Sequence, residues 1–173
     1  MHRSSGRSEL RPEGVGRRPS KPWPLKHNML QAMSDSKTEH LSRVPLFSQL
    51  SKKELEFVAS RTDEVDVKAG EKLTTQGSPG DSFNILLDGE AHVEVDGEPR
   101  RTLKAGDFFG EIGMLDRGPA TATVTTSTPA KLLVMSHAQF RDAIKASDAL
   151  LVKVLSAMGQ RLRADLAARH GHD

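Results

Sequence analysis

Two hydrophobic rhythms divide the chain. A short helical lead at Thr38, Glu39, His40 and Leu41 runs into Val44-Pro45-Leu46-Phe47. Ser51-Lys52-Lys53-Glu54 then has the form of a capping box: the Ser hydroxyl accepts from the Glu amide, and the Glu carboxylate reaches back to the Ser amide. Leu55, Val58 and Ala59 follow at helical spacing, which predicts a helix. From Thr62 the apolar positions alternate instead. Short runs at Val65–Val67, Lys72–Thr75, Phe83–Leu87, His92–Val95, Arg101–Leu103, Ala122–Thr126 and Lys131–Met135 read as strands. Turn signals at Gly70, Gly77–Gly80, Asp88-Gly89, Asp96-Gly97 and Ala105-Gly106 separate the first of them, and Asp-Gly is a strong hairpin dipeptide.

Helical spacing returns behind Ser136-His137-Ala138-Gln139, a second capping box leading to Phe140 and Ile144. Ser147 is placed to cap a last helix, with a stripe of Leu151, Val154, Leu155, Met158, Leu162 and Leu166. Arg161, Arg163 and Arg169 near its end suit the helix dipole. Six or seven short strands with Gly turns and helices at both ends predict a mainly β fold, a jelly roll or double-stranded β-helix. The roll is expected over about residues 62–136 and the C-terminal helices over about 137–169. No internal repeat is visible.

Composition alters this picture mostly at the N-terminus. Residues 1–37 hold eight Lys and Arg against three acids, a net charge of +5 in a chain of net charge +2, so the remaining 136 residues carry −3. The basic excess belongs to the tail, and the body offers no overall basic face for nucleic acid. Residues 1–36, rich in Arg, Ser, Gly and Pro, are expected to be a disordered tail, and Met33 is a plausible alternative start. Residues 37–173 are expected to be one domain. The chain has no Cys, which excludes disulfides and thiolate metal sites. No apolar run approaches the ~20 residues that span a bilayer, and no secretory h-region is present, so a cytoplasmic protein is expected.

The segment that carries chemistry is Phe108-Phe109-Gly110-Glu111-Ile112-Gly113-Met114-Leu115-Asp116-Arg117-Gly118-Pro119-Ala120-Thr121-Ala122. It stands where a roll would normally have a tight turn. Gly110 lets the backbone approach a ligand closely. Glu111 to Leu115 can form one helical turn whose leading amides face an anion. Glu111 accepts hydrogen bonds only, which suits a sugar hydroxyl. Gly118-Pro119 turns the chain back toward a strand. An ordinary loop with a Gly and an acidic helix start is the plain alternative.

These motifs resemble the cyclic nucleotide-binding domain of catabolite-activator-type regulators, protein kinase regulatory subunits and nucleotide-gated channels. The resemblance covers roughly Leu41 to Leu166. It rests on Ala69–Gly89, with its paired-hairpin glycines, and on Gly106-Asp107-Phe108-Phe109-Gly110-Glu111-Ile112-Gly113-Met114-Leu115. It implies a β-roll with an N-terminal helical bundle and two C-terminal helices. It also implies Gly110, Glu111, Ile112, Gly113, Ala120, Thr121 and Ala122 as nucleotide-site positions. Glu111 would take the ribose 2′-hydroxyl, and the amides of Ile112, Gly113 and Thr121 the phosphate. The family carries Pro-Arg-x-Ala where this chain has Pro119-Ala120-Thr121-Ala122, so the phosphate-pairing Arg is replaced by Ala120. Losing a bidentate charge-assisted contact removes roughly 3–4 kcal/mol, or a hundred- to a thousandfold in affinity. Arg117, three residues upstream, reads as a solvated turn residue.

The expectation is a regulatory sensor domain binding cAMP or cGMP and moving its C-terminal helices. The alternative is a scaffold or dimerisation module of the same fold that has lost the nucleotide. No nucleophile elbow, P-loop or zincin motif appears, His92 and His137 have no metal-ligand spacing, and neither an enzyme nor a metal is expected. The last helix is longer than one small roll can cover, which suggests a homodimer or a lid. Only seven residues follow Leu166, too few for a helix-turn-helix, so no DNA-binding domain is expected in this chain.

Overall fold

The computed structural model describes residues 25–170. Two antiparallel four-stranded sheets pack as a roll between helices. Helix α1 (Leu25–Ser42), a short 3₁₀ turn (Pro45–Phe47) and α2 (Lys52–Ser60) precede it. The strands are β1 (Asp63–Val67), β2 (Lys72–Thr74), β3 (Ser82–Asp88), β4 (Ala91–Val95), β5 (Glu98–Leu103), β6 (Phe108–Phe109), β7 (Thr123–Thr126) and β8 (Ala130–Ser136). Helix α3 (Glu111–Asp116) sits between β6 and β7, and α4 (His137–Ala146) and α5 (Asp148–His170) close the chain. The sheet orders are β1-β8-β3-β6 and β2-β7-β4-β5, the interleaved pairing of a jelly roll.

Local sequence sets the element ends. Ser51 accepts from the Glu54 amide while Glu54 accepts from the Ser51 amide at 2.7 Å, and Ser136 and Gln139 repeat the box. The Ser147 hydroxyl accepts from the Leu150 amide at 3.2 Å, the expected cap of α5. Asp96 and Gly97 both have positive φ, the geometry of a tight hairpin turn between β4 and β5.

Strands β3 and β8 are buried on both faces, so each reads as a nearly continuous apolar run. On one side Phe83, Ile85, Leu133 and Met135 pack with the helices, around Leu41, Phe47, Val58, Phe140, Leu150 and Val154. On the other, Leu86 and Leu132 fill the roll with Ala91, Val93, Leu103, Phe109 and Val124. Phe83 meets the rings of Phe140 and Phe108 at 4.9 and 5.5 Å, joining the C-terminal helices to the strand that precedes α3.

The structure departs from expectation in three places. Helix α1 begins at Leu25, so residues 25–36, assigned by composition to the tail, are helical; residues 1–24 lie outside the described residues. Leu41 at its end is buried and Lys37 donates to the Thr62 carbonyl at 2.8 Å, so the helix is anchored at its C-terminal end. Phe108–Phe109, read as part of a loop, pairs as a two-residue strand with Asn84 and Ile85. The expected α5 stripe splits: Val154 is buried, Leu151 and Met158 are half-buried, and Leu155, Leu162 and Leu166 are exposed, while Leu150, outside the stripe, is buried and Val152 exposed.

The Glu54 carboxyl is held below its ordinary value, first by the hydrogen bond from the Ser51 amide, then by the hydroxyls of Ser147 and Ser51. A carboxyl depressed in the folded state adds stability above its unfolded pKa and loses it as pH falls through the folded value. Glu54→Ala should therefore lower the melting temperature at neutral and alkaline pH and flatten the acid limb, the gap to the native protein closing as pH falls below about 5. Thermal melts followed by circular dichroism across that range check this.

Candidate functional site

The site is built around Gly110. Its φ of 89° lies in the left-handed region, and a Cβ there would stand 2.2 Å from the Ser82 carbonyl oxygen. Only glycine lets β6 turn this close to β3 and start α3. The next residue, Glu111, opens α3 and is 3% exposed. The first α3 bond is Met114 N–H to the Gly110 carbonyl, so the amides of Ile112 and Gly113 have no acceptor within the helix. A second close approach fixes the other wall: a Cβ on Gly80 would lie 3.1 Å from the Gly113 Cα, and one on Gly113 would lie 3.1 Å from the Gly80 Cα. Glycine at both positions lets the β2–β3 loop lie directly against α3.

The Glu111 carboxylate is not left alone. Arg161, on α5 and fifty residues along the chain, donates from Nη1 to Glu111 Oε1 and from Nη2 to the Phe108 carbonyl. Its guanidinium lies over the Phe108 ring, 4.5 Å from the centroid. The Arg161 side chain is 26% exposed, so the pair stands at the edge of the roll. A buried carboxylate is costly unless paired, and here one cation from the last helix pairs it while stacking on an aromatic face.

A second cation stands nearby. Arg101 on β5 pairs across the ladder with Val93, two residues from the buried Leu103, so it falls on the row that faces the roll interior. The residue as a whole is open to solvent, yet burial is the first cause that pushes its guanidinium below the ordinary range. The charge of Arg161 lowers it further; Asp107, Glu111 and Asp165 act the other way. Arg101, Arg161 and Glu111 thus share one electrostatic environment.

The implied site residues come together in part. Gly110, Glu111, Ile112 and Gly113 form the β6–α3 corner as expected. Ala120 is held in the backbone, its amide donating to Ser78 and its carbonyl accepting from Gly77, each at 2.8 Å. Thr121 is exposed beside it, and Ala122 packs against the interior cluster. Arg117 caps α3 in the left-handed conformation at φ 59° and is exposed, which agrees with its reading as a turn residue. Arg101 and Arg161 were missed as site residues, and Arg161 was read only as a dipole partner. No local motif marks either of them; only the fold brings them to Glu111.

Comparison with known proteins agrees with this geometry. Residues 64–147 match the cyclic nucleotide-binding domain family. The chain is 37% identical over 103 residues to the cAMP-dependent protein kinase regulatory subunit of Emericella nidulans, covering 58% of this chain and 25% of that protein. It therefore spans about a quarter of the length of that curated relative. Among solved structures, a cAMP-bound PfPKA-R superposes with a TM-score of 0.70 at 23% identity, covering 79% of this chain and 49% of the other. The regulatory subunit of a cAMP-independent protein kinase A from Trypanosoma brucei superposes with a TM-score of 0.68 at 19% identity, covering 75% and 47%. At these identities the structures establish the roll. No helix among the described residues is long and apolar enough to cross a membrane.

Removing Arg161 should expose the cost of the buried carboxylate. Arg161→Ala should destabilise the fold by roughly 2–3 kcal/mol, a melting temperature lower by roughly 5–10 °C. Adding Glu111→Gln to that variant should recover most of the loss, because the stranded charge is gone. Melts of the two single variants and the double variant measure the coupling.

Proposed function

We propose that this chain, whose residues 64–147 match the cyclic nucleotide-binding domain family, is a regulatory sensor whose ligand is a cyclic nucleotide held at the β6–α3 corner. The observation that carries the reading is Glu111: a buried carboxylate placed by a left-handed Gly110 at the head of a helix with unsatisfied leading amides. A ribose hydroxyl can donate to the carboxylate while the Ile112, Gly113 and Thr121 amides face the phosphate. The cAMP-bound neighbour of the same fold supports a cyclic nucleotide as the ligand class.

Ala120 leaves no cation at the usual place. Arg161 and Arg101 are the cations this chain brings to the site instead. They offset part of the negative charge of Glu111 and of an incoming phosphate. Because Arg161 belongs to α5, a ligand that engages Glu111 alters the contact that holds α5. Its differential affinity for the two α5 positions is the signal.

A second reading is favoured by Ala120 and by the exposed face of α5. In it the domain serves as a dimerisation scaffold without nucleotide. Val152, Leu155, Leu162 and Leu166 are exposed and follow each other at spacings of three, seven and four, with Gly159 between Leu155 and Leu162. That is the seam of a two-helix coiled coil, with glycine at one central position. A dimer seam on α5 would also fit the sensor, since it would transmit the movement of Arg161.

Titration calorimetry of cAMP and cGMP into the full chain tests the sensor. Native protein should bind one of them in the micromolar range. Ala120→Arg should tighten that binding by about a hundredfold. Absence of heat from both proteins would sink the sensor reading. Binding by the variant alone would leave the scaffold. For the dimer, sedimentation equilibrium should show a two-chain species that Leu155→Glu with Leu162→Glu converts to monomer; a native chain that is monomeric at every concentration would remove this interface.

A further inference from the structure

A second concave surface borders α3. A groove of about 310 Å³ runs between α3 and α4. Its floor is apolar: Met114 and Leu115 from α3, Phe140 and Ile144 from α4. Met114 and Phe140 belong to the core at its base, Ile144 is half-buried, and Leu115 is 41% exposed, so the apolar surface open to solvent is mainly that of Leu115 with Ile144. Its rim is cationic, formed by Arg117, Arg141 and Lys145 with His137 at one end.

Two observations set this rim apart from an ordinary solvated face. First, the three cations make no ion pair among the described residues, and no carboxylate lines the groove. The two acids nearest in sequence are engaged elsewhere: Asp116 accepts from the Gly118 amide at 2.7 Å, and Asp142 lies 3.9 Å from Arg61. Second, Arg117 holds the left-handed position that ends α3, where glycine is the cheaper residue. The side chain it presents lies on this rim.

We propose that the α3–α4 groove is a docking surface for an acidic amphipathic helix of a partner protein. The argument is complementarity. An apolar stripe at helical spacing fills a shallow trough between two helices, and carboxylates beside the stripe meet unpaired cations on both banks. The volume is at the lower end for a small-molecule pocket and suits two or three inserted side chains. The chain's own N-terminal segment, at +5 over residues 1–37, has the wrong sign to fill it. The groove stands independently of the nucleotide site, although both act on α3.

Fluorescence anisotropy with the full chain tests the surface without any nucleotide. The probe is a labelled model peptide with Leu at i, i+3, i+4 and i+7 and Glu at the other positions. Saturable binding that weakens with added salt is expected, with no binding of the same Leu pattern carrying Lys. Arg141→Glu together with Lys145→Glu should weaken the acidic peptide about tenfold or more. Leu115→Ser should weaken it with little change in salt dependence. Arg141→Gln with Lys145→Gln, a milder change on exposed side chains, should show the same direction, and unchanged melts confirm folding. No binding of the acidic peptide, or binding indifferent to these variants, overturns the proposal. So does capture by anionic phospholipid vesicles that outcompete the peptide through the same residues, which would make the surface a lipid site.

Discussion

One charge organises this molecule. Glu111 is nearly sealed from water at the point where the roll gives way to α3, and a carboxylate in that position demands a partner. The fold answers with Arg161, carried in on the last helix, which also caps the Phe108 carbonyl and stacks on the Phe108 ring. The contact ties the end of the chain to the middle of the roll. Phe83 runs alongside as an apolar strut, touching Phe108 on one side and Phe140 of α4 on the other. Polar and apolar contacts therefore couple the same two parts: the β6–α3 corner and the C-terminal helices.

Much of the architecture is legible in the sequence because its determinants are local. A capping box spans four residues, and both boxes form as read, at Ser51 and Ser136. Asp96-Gly97 encodes its turn within two residues, and Gly110 and Glu111 announce the corner by adjacency. What escapes the sequence is non-local. Arg161 and Glu111 are fifty positions apart, and neither spacing nor type distinguishes Arg161 from Arg163, which faces water two residues on. Arg101 looks like one more charge on a polar strand until the ladder places it in the Val93 row. The α5 stripe marks apolar positions but not which of them the roll covers. Val154 is buried and Leu155 beside it is not, because only one side of α5 packs against the helical core cluster. The start of α1 escapes for a different reason: its first turns carry a mixed sequence and exposed Met29, Leu30 and Met33, with little amphipathic pattern to detect.

The substitution at position 120 has a structural setting that softens its effect on the fold. Ala120 is held by two backbone bonds to the Gly77–Ser78 turn, and those bonds need no side chain. The loop geometry is therefore independent of which residue stands there. Charge at the site is set elsewhere, by β5 and α5.

The position of Arg161 also redraws the edge of the domain. The family match ends at residue 147, fourteen residues short of the side chain that neutralises Glu111. Cut at that border, the fragment would keep every strand and the whole β6–α3 corner, yet would carry a bare carboxylate at the head of α3 and lose the core residues Leu150 and Val154. The segment recognised by sequence is thus smaller than the unit that is electrically complete, and modular fusions built from this domain would have to keep α5 at least through Arg161, within one turn of Met158, to inherit its charge balance.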